Sequence, residues 1–286
     1  MDPRHHRSAR TAARSTRNLT LTQPITDHPH RSTEPSLPPT DPDPAHNARC
    51  TALRPDTHGA FLVSPRYLAG DDGLLGDSVT DALVAAGWSC WTTRSQTRHL
   101  FDTDQLRGAE WLPGHPNVLF DGDPVLWEFF ARTDPTAPPQ WTAYFTARVP
   151  HELVTAFATA LATAPDVTRG IEPGCIPLQP LADAHWSTDP TDAGNTYYAP
   201  KLQAWVTYGA LSEAIEDGNP LPGLPGYLSW AQTDDHLPHH WCAAFSPSTP
   251  QNLVTAFTTA LADPAPVPRS ALPEGSMGHI TISLPR

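Results

Sequence analysis

Lysine is almost missing from this chain. Lys201 stands alone among 286 residues, so positive charge rests on arginine. Cysteine is sparse too. Cys50, Cys90, Cys175 and Cys242 form no Cys-x-x-Cys pair, which argues against zinc-ribbon or thioredoxin spacing and predicts free thiols in a reducing, cytoplasmic compartment. No apolar run approaches the roughly 20 residues of a membrane helix, and the N-terminus lacks the apolar stretch of a secretory signal. There is no P-loop, no Rossmann glycine fingerprint, no His-Glu-x-x-His and no zinc-finger spacing, so no cofactor is expected.

Positive charge is also unevenly placed. Arg4, Arg7, Arg10, Arg14 and Arg17 face Asp2 alone in the first 20 residues. The rest holds 13 basic against 29 acidic residues, a formal −16 within a total of −12. So acidic a body repels phosphate backbones, which leaves the five arginines as the place where nucleic acid would be held. Residues 1–56 are rich in Pro, Thr, Asp, His and Arg without apolar periodicity, and read as a disordered tail.

What the chain does have is a repeat. Trp141-Thr142-Ala143-Tyr144-Phe145, Pro150 and Leu153-Val154-Thr155-Ala156-Phe157 return one hundred positions later. The second copy is Trp241-Cys242-Ala243-Ala244-Phe245, Pro250 and Leu253-Val254-Thr255-Ala256-Phe257. Leu181 to Ser187 likewise echoes Leu83 to Ser89. Two copies of one unit are expected, repeat one over 57–165 and repeat two over 175–269, with 270–286 as a C-terminal tail or edge strand. The unit reads as α+β: an antiparallel sheet of about four strands flanked by an N-terminal and a C-terminal helix, the copies packed either about a pseudo-two-fold or side by side. Trp88, Trp141, Phe145, Phe157, Trp186, Trp241, Phe245 and Phe257 recur in pairs and are the expected core. Trp91, Trp111 and Trp127 have no certain counterpart and are the candidates for an exposed interaction surface.

Val63-Ser64-Pro65-Arg66-Tyr67-Leu68-Ala69-Gly70, the Ala85-Ala86-Gly87-Trp88 turn and the Thr249-Pro250 helix start resemble the actinobacterial domain-of-unknown-function family 317, the SPDY-motif family. Its members often carry two copies. The eponymous Ser-Pro-Asp is degenerate: Asp102-Thr103-Asp104 stands for it in repeat one and Ala199-Pro200-Lys201 in repeat two. The family has no established activity, so the resemblance implies no catalytic residues. It implies a regulatory or mobile-element setting.

Three local patterns suggest chemistry, each beside a plainer reading. Leu75-Gly76-Asp77-Ser78 looks like the nucleophile block of a GDSL-type esterase, yet no Asp-x-x-His follows Ser78, and Ser78 with Asp81 three residues on has capping-box spacing. His236, His239, His240 and Cys242 cluster, with His240 and Cys242 on one strand face; His236, His240 and Cys242 are the weak metal candidates. Asp121-Gly122-Asp123 resembles a metal-binding Asp-x-Asp, but Asp-Gly between apolar runs is the stronger hairpin signal. No reactive set is shared by the copies. The expected role is a non-catalytic binding or adaptor module with a protein partner and no membrane association, the rivals being a nucleic-acid-associated protein working through the basic tail and an esterase at Ser78.

Overall fold

The computed structural model describes residues 61–114, 118–119, 123–165, 177–188, 190–191, 196–208, 227–232 and 240–285. The tail reading of 1–56, with its five arginines, lies outside them, as do Asp121, Gly122, His236 and His239.

Among the described residues each repeat contributes five strands to the main sheet path, against the about four that the sequence pattern suggests. Repeat one supplies β2 (Ser89–Thr92), β3 (Arg98–Phe101), β4 (Arg107–Trp111), β6 (Asp123–Ala131) and β7 (Trp141–Thr146). A short strand, β5 (Val118–Leu119), pairs with the start of β6. Repeat two supplies β8 (Ser187–Thr188), β9 (Thr196–Tyr198), β10 (Ala204–Tyr208), β11 (Tyr227–Ala231) and β12 (Trp241–Phe245). They form one sheet in the order β2-β3-β4-β6-β7-β12-β11-β10-β9-β8, a palindrome of the two copies. Among the described residues four α-helices pack on one face: α1 (Leu75–Ala85), α2 (His151–Thr163), α3 (Gln179–Asp183) and α4 (Gln251–Ala262). α1 packs on α2, α2 on α4 and α4 on α3, so the helix layer has the same mirror order.

The junction decides between the two packings left open by the sequence. β7 and β12 are antiparallel with Ala143 opposite Phe245, Tyr144 opposite Ala244 and Phe145 opposite Ala243. Residues one hundred apart therefore exchange partners, which is a pseudo-two-fold axis between the strands. Hydroxyls close both ends of this ladder. Thr146 Oγ1 accepts from the Cys242 N–H (2.7 Å), and the equivalent Ser246 Oγ accepts from the Thr142 N–H (3.1 Å). Beneath the junction the rings of Phe145, Phe157, Phe245 and Phe257 meet at centroid distances of 5.1–5.9 Å. They belong to one buried cluster that also holds Trp88, Trp141, Trp186 and Trp241.

Helix boundaries follow local chemistry that differs from the sequence reading at two places. α1 begins three residues before Ser78, because the Asp71 carboxylate accepts the Leu75 N–H (3.0 Å). Ser78 is thus inside the helix rather than its cap. Thr249 does not cap α4: its hydroxyl donates across the junction to the Thr142 carbonyl (3.2 Å). The C-terminus of α1 does end as expected at Gly87 (φ 90°), with Gly87 N–H to Val84 O and Trp88 N–H to Leu83 O, a Schellman pair. α3 ends with the same two bonds from His185 and Trp186, but His185 holds the left-handed φ of 62°. A side chain there carries a steric penalty that glycine avoids. His185→Gly is expected to raise stability by about 0.5–1 kcal/mol, read as a higher urea midpoint.

A second, three-stranded sheet brings the start of repeat one together with the C-terminal segment: β13 (Val267–Arg269), β1 (Phe61–Ser64) and β14 (Thr281–Ser283), in that order. The C-terminal edge strand thus pairs with β1, which opens repeat one. This small sheet is anchored by Arg269, whose side chain is 0 % exposed. Its guanidinium grips Glu152 at the start of α2 through Nη1–Oε1 (2.6 Å) and Nη2–Oε2 (2.8 Å), and its Nε donates to the carbonyls of Ala69 and Gly70.

Candidate functional site

The sheet face away from the helices carries the site. Strand pairing lines up Trp91, His99, Glu110, Glu128 and Tyr144 across β2, β3, β4, β6 and β7, each directly opposite the next. Alternation explains why they share a face: Leu100, Ala109 and Phe129, one residue along each strand, point into the core.

Trp91 is 45 % exposed, and its ring stacks on Phe101 (5.2 Å) and on His99 (5.5 Å). The platform continues to Phe130, edge-on to Phe101, with the Arg132 guanidinium over both rings. Phe130 in turn lies across Gly108, where a Cβ would meet its ring at 2.3 Å. That position requires glycine for close approach rather than for a special φ.

Beside the aromatics stand two carboxylates. His99 Nδ1 lies 3.1 Å from Glu110 Oε1. Burial pushes the Glu128 carboxyl up to about 7, the Glu110 charge adds to the rise, and a hydrogen bond with Tyr144 opposes it. A carboxyl that is more basic folded than unfolded binds its proton more tightly in the fold. Stability is therefore expected to fall as pH rises from about 4.5 to about 7, then to level off. Glu128→Gln removes that loss, and at pH 8 it is expected to stabilise by about 1–2 kcal/mol, discounted for partial solvent access. Urea melts of both proteins at pH 5 and pH 8 check this.

The repeat-two counterparts are different. By register, Thr196 stands at the His99 position, Thr207 at Glu110, Leu228 at Glu128 and Ala244 at Tyr144. Thr196 and Thr207 hydrogen-bond to each other (2.9 Å) and are buried. The acidic and aromatic row is thus a property of repeat one.

Of the three tryptophans expected at a surface, only Trp91 offers one. Trp127 is 0 % exposed: its position on β6 faces the helices, and its indole N–H donates to the Leu75 carbonyl (3.2 Å). Trp111 packs against the core with its ring over Gly76 of α1. Neither has a certain repeat counterpart to mark it as core, yet strand parity turns both inward. Cys242 is buried on β12 and the His240 ring lies against Gly275; neither joins a convergent group of metal-type ligands among the described residues. Ser78 lines an open groove between α1 and α2 together with Asp81, His151 and Glu152. Among the described residues its hydroxyl has no hydrogen bond to a base. No helix of the described residues is long and apolar enough to cross a membrane.

The turn from β3 to β4 recurs from β9 to β10. Asp102 N–H bonds to Arg107 O and Gln105 N–H to Asp102 O, as Ala199 N–H does to Ala204 O and Leu202 N–H to Ala199 O. Gln105 and Leu202 both take left-handed φ, 59° and 57°. The family model for SPDY, a domain of unknown function (DUF317), matches residues 102–167 and 228–267. Both repeats match the SPDY family. No curated protein and no solved structure shows a detectable match.

The first SPDY segment starts at this turn and runs through α2; the second runs from β11 through α4. In repeat one the first position of this turn is Asp102, whose carboxylate accepts the N–H groups of Leu106 and Arg107 and pairs with Arg107 Nε (2.6 Å). Arg107 Nη1 then donates to the carbonyls of Leu161 and Ala164 at the end of α2 (both 2.9 Å). Repeat two has Ala199 and Ala204 at these places, and Arg66 from outside the repeat takes over, reaching the α4 carbonyl of Ala260 and Asp263. The β3–β4 turn is therefore a helix-docking device in repeat one, and Arg66 does that work in repeat two.

Proposed function

We propose that this protein is a non-catalytic cytoplasmic binding module whose docking face is the repeat-one sheet surface around Trp91, and whose partner is a protein segment rich in arginine or lysine. The row Trp91–His99–Glu110–Glu128 carries the reading: an exposed ring platform beside two carboxylates suits a cation. A cationic side chain over an indole gains about 0.5–2 kcal/mol, and charge-assisted bonds to carboxylates add direction and strength. The formal −16 outside the first 20 residues supports it by steering basic partners toward this face. Repeat two, with threonines and aliphatic residues at these positions, serves as the scaffold that completes the sheet.

Calorimetric titration of the full chain with an arginine-rich and a glutamate-rich peptide tests this. The arginine-rich peptide is expected to bind, about tenfold more weakly in Trp91→Ala. Its affinity is expected to rise from pH 6 to pH 8, because a bound cation favours ionised Glu128, and to fall with added salt. Equal binding of the two peptides, or no effect of Trp91→Ala, would sink the reading. Tight, salt-dependent binding of duplex DNA or RNA in place of the peptide would replace it with nucleic-acid association.

A further inference from the structure

Where α1 and α2 begin, two acids and a histidine converge, and among the described residues no arginine or lysine pairs with them. Asp71 and Asp72 lie in the turn before α1, between Gly70 (φ 64°) and Gly73 (φ 88°), and His151 is the first residue of α2. One donor atom from each lies within 4.8 Å of the other two. The Asp72 side chain is only 6 % exposed, yet its Oδ1 has no hydrogen-bond partner. It points at His151 Nδ1, 3.6 Å away, which also lacks one.

Neighbouring groups hold these ligands without satisfying them. Asp71 accepts backbone N–H groups from Gly73 and Leu75, as metal-binding carboxylates commonly do. Glu152 is committed to Arg269 and lies 3.5 Å from His151 Nε2, on the ring's other side from Asp72. A buried carboxylate oxygen beside a second acid is costly unless a cation meets it.

We propose that Asp71, Asp72 and His151 bind a divalent transition-metal ion of the zinc class, linking the turn before α1 to the start of α2. Two carboxylates and one imidazole suit zinc or its first-row neighbours. Ligand bonds of about 2.0–2.2 Å at tetrahedral angles put donors about 3.3–3.6 Å apart, so side-chain rotations that move donor atoms by about an ångström close the set. Water fills the remaining position. Repeat two has Gln251 where His151 stands, so the site belongs to repeat one.

The test is calorimetric titration of chelator-stripped full-length protein with Zn2+, alongside Asp72→Asn and His151→Gln. The second variant installs the side chain that repeat two already carries at this helix position, so folding is expected to survive. One equivalent of Zn2+ is expected to bind with micromolar or tighter affinity, weakened at least about tenfold in each variant and unchanged in His240→Ala. Co2+ loaded into wild-type protein provides a readout that needs no variant: carboxylate and imidazole ligation gives no thiolate charge-transfer band. No Zn2+ binding, binding indifferent to both variants, or a thiolate band pointing to Cys242 would overturn the proposal.

Discussion

Glu152→Ala is expected to destabilise the folded chain by about 3–5 kcal/mol. The carboxylate it removes is the bidentate partner of Arg269, a guanidinium with a side chain 0 % exposed. Burial by itself pushes the Glu152 carboxyl up, but the hydrogen bonds and charge of Arg269 outweigh it and hold the group below its usual range. The alanine variant would leave a buried cation with only carbonyl oxygens from Ala69, Gly70 and Pro268 around it. Most of the loss is the penalty of that stranded charge rather than the worth of the pair. Glu152→Leu combined with Arg269→Met is therefore expected to recover most of the stability. Urea unfolding of the single and double variants measures both numbers; a single-variant loss under about 1 kcal/mol would mean that water reaches Arg269.

Phe145→Ala is expected to cost about 3–5 kcal/mol, the range for emptying a tightly packed aromatic site. Phe145 meets Phe129, Phe157, Phe245 and Phe257, two of them from each repeat. Its backbone also lies in the β7–β12 ladder opposite Ala243. The cavity therefore opens at the pseudo-two-fold junction, and neither copy can relax into it independently. A single unfolding transition with a lowered midpoint and an unchanged slope is expected. Two resolved transitions would show that the repeats hold their cores separately.

The contrast between these two sites measures how much was legible in the sequence. Phe145 announces itself: it recurs as Phe245 at the same distance from a tryptophan, a proline and a helix, and paired bulky residues at fixed spacing require a shared core. Glu152 carries no such signal. Its partner Arg269 is 117 positions away, on the three-residue strand β13. The acidic row was equally hidden. Glu110 and Glu128 each look like an ordinary solvent-facing residue of a strand, though Glu128 between Trp127 and Phe129 is a charge inside an apolar run and could have raised the question.

The unit, its duplication, its α+β alternation and its aromatic core are legible in the order of residues, because they depend on periodicity and on spacing that local chemistry imposes. The rest emerges on folding: the copies join strand to strand about a pseudo-two-fold, Trp111 and Trp127 face inward while Trp91 faces out, and Asp71, Asp72 and His151 meet. Those outcomes depend on register and on which edge finds which partner, and a register is a relation between segments that neither carries alone.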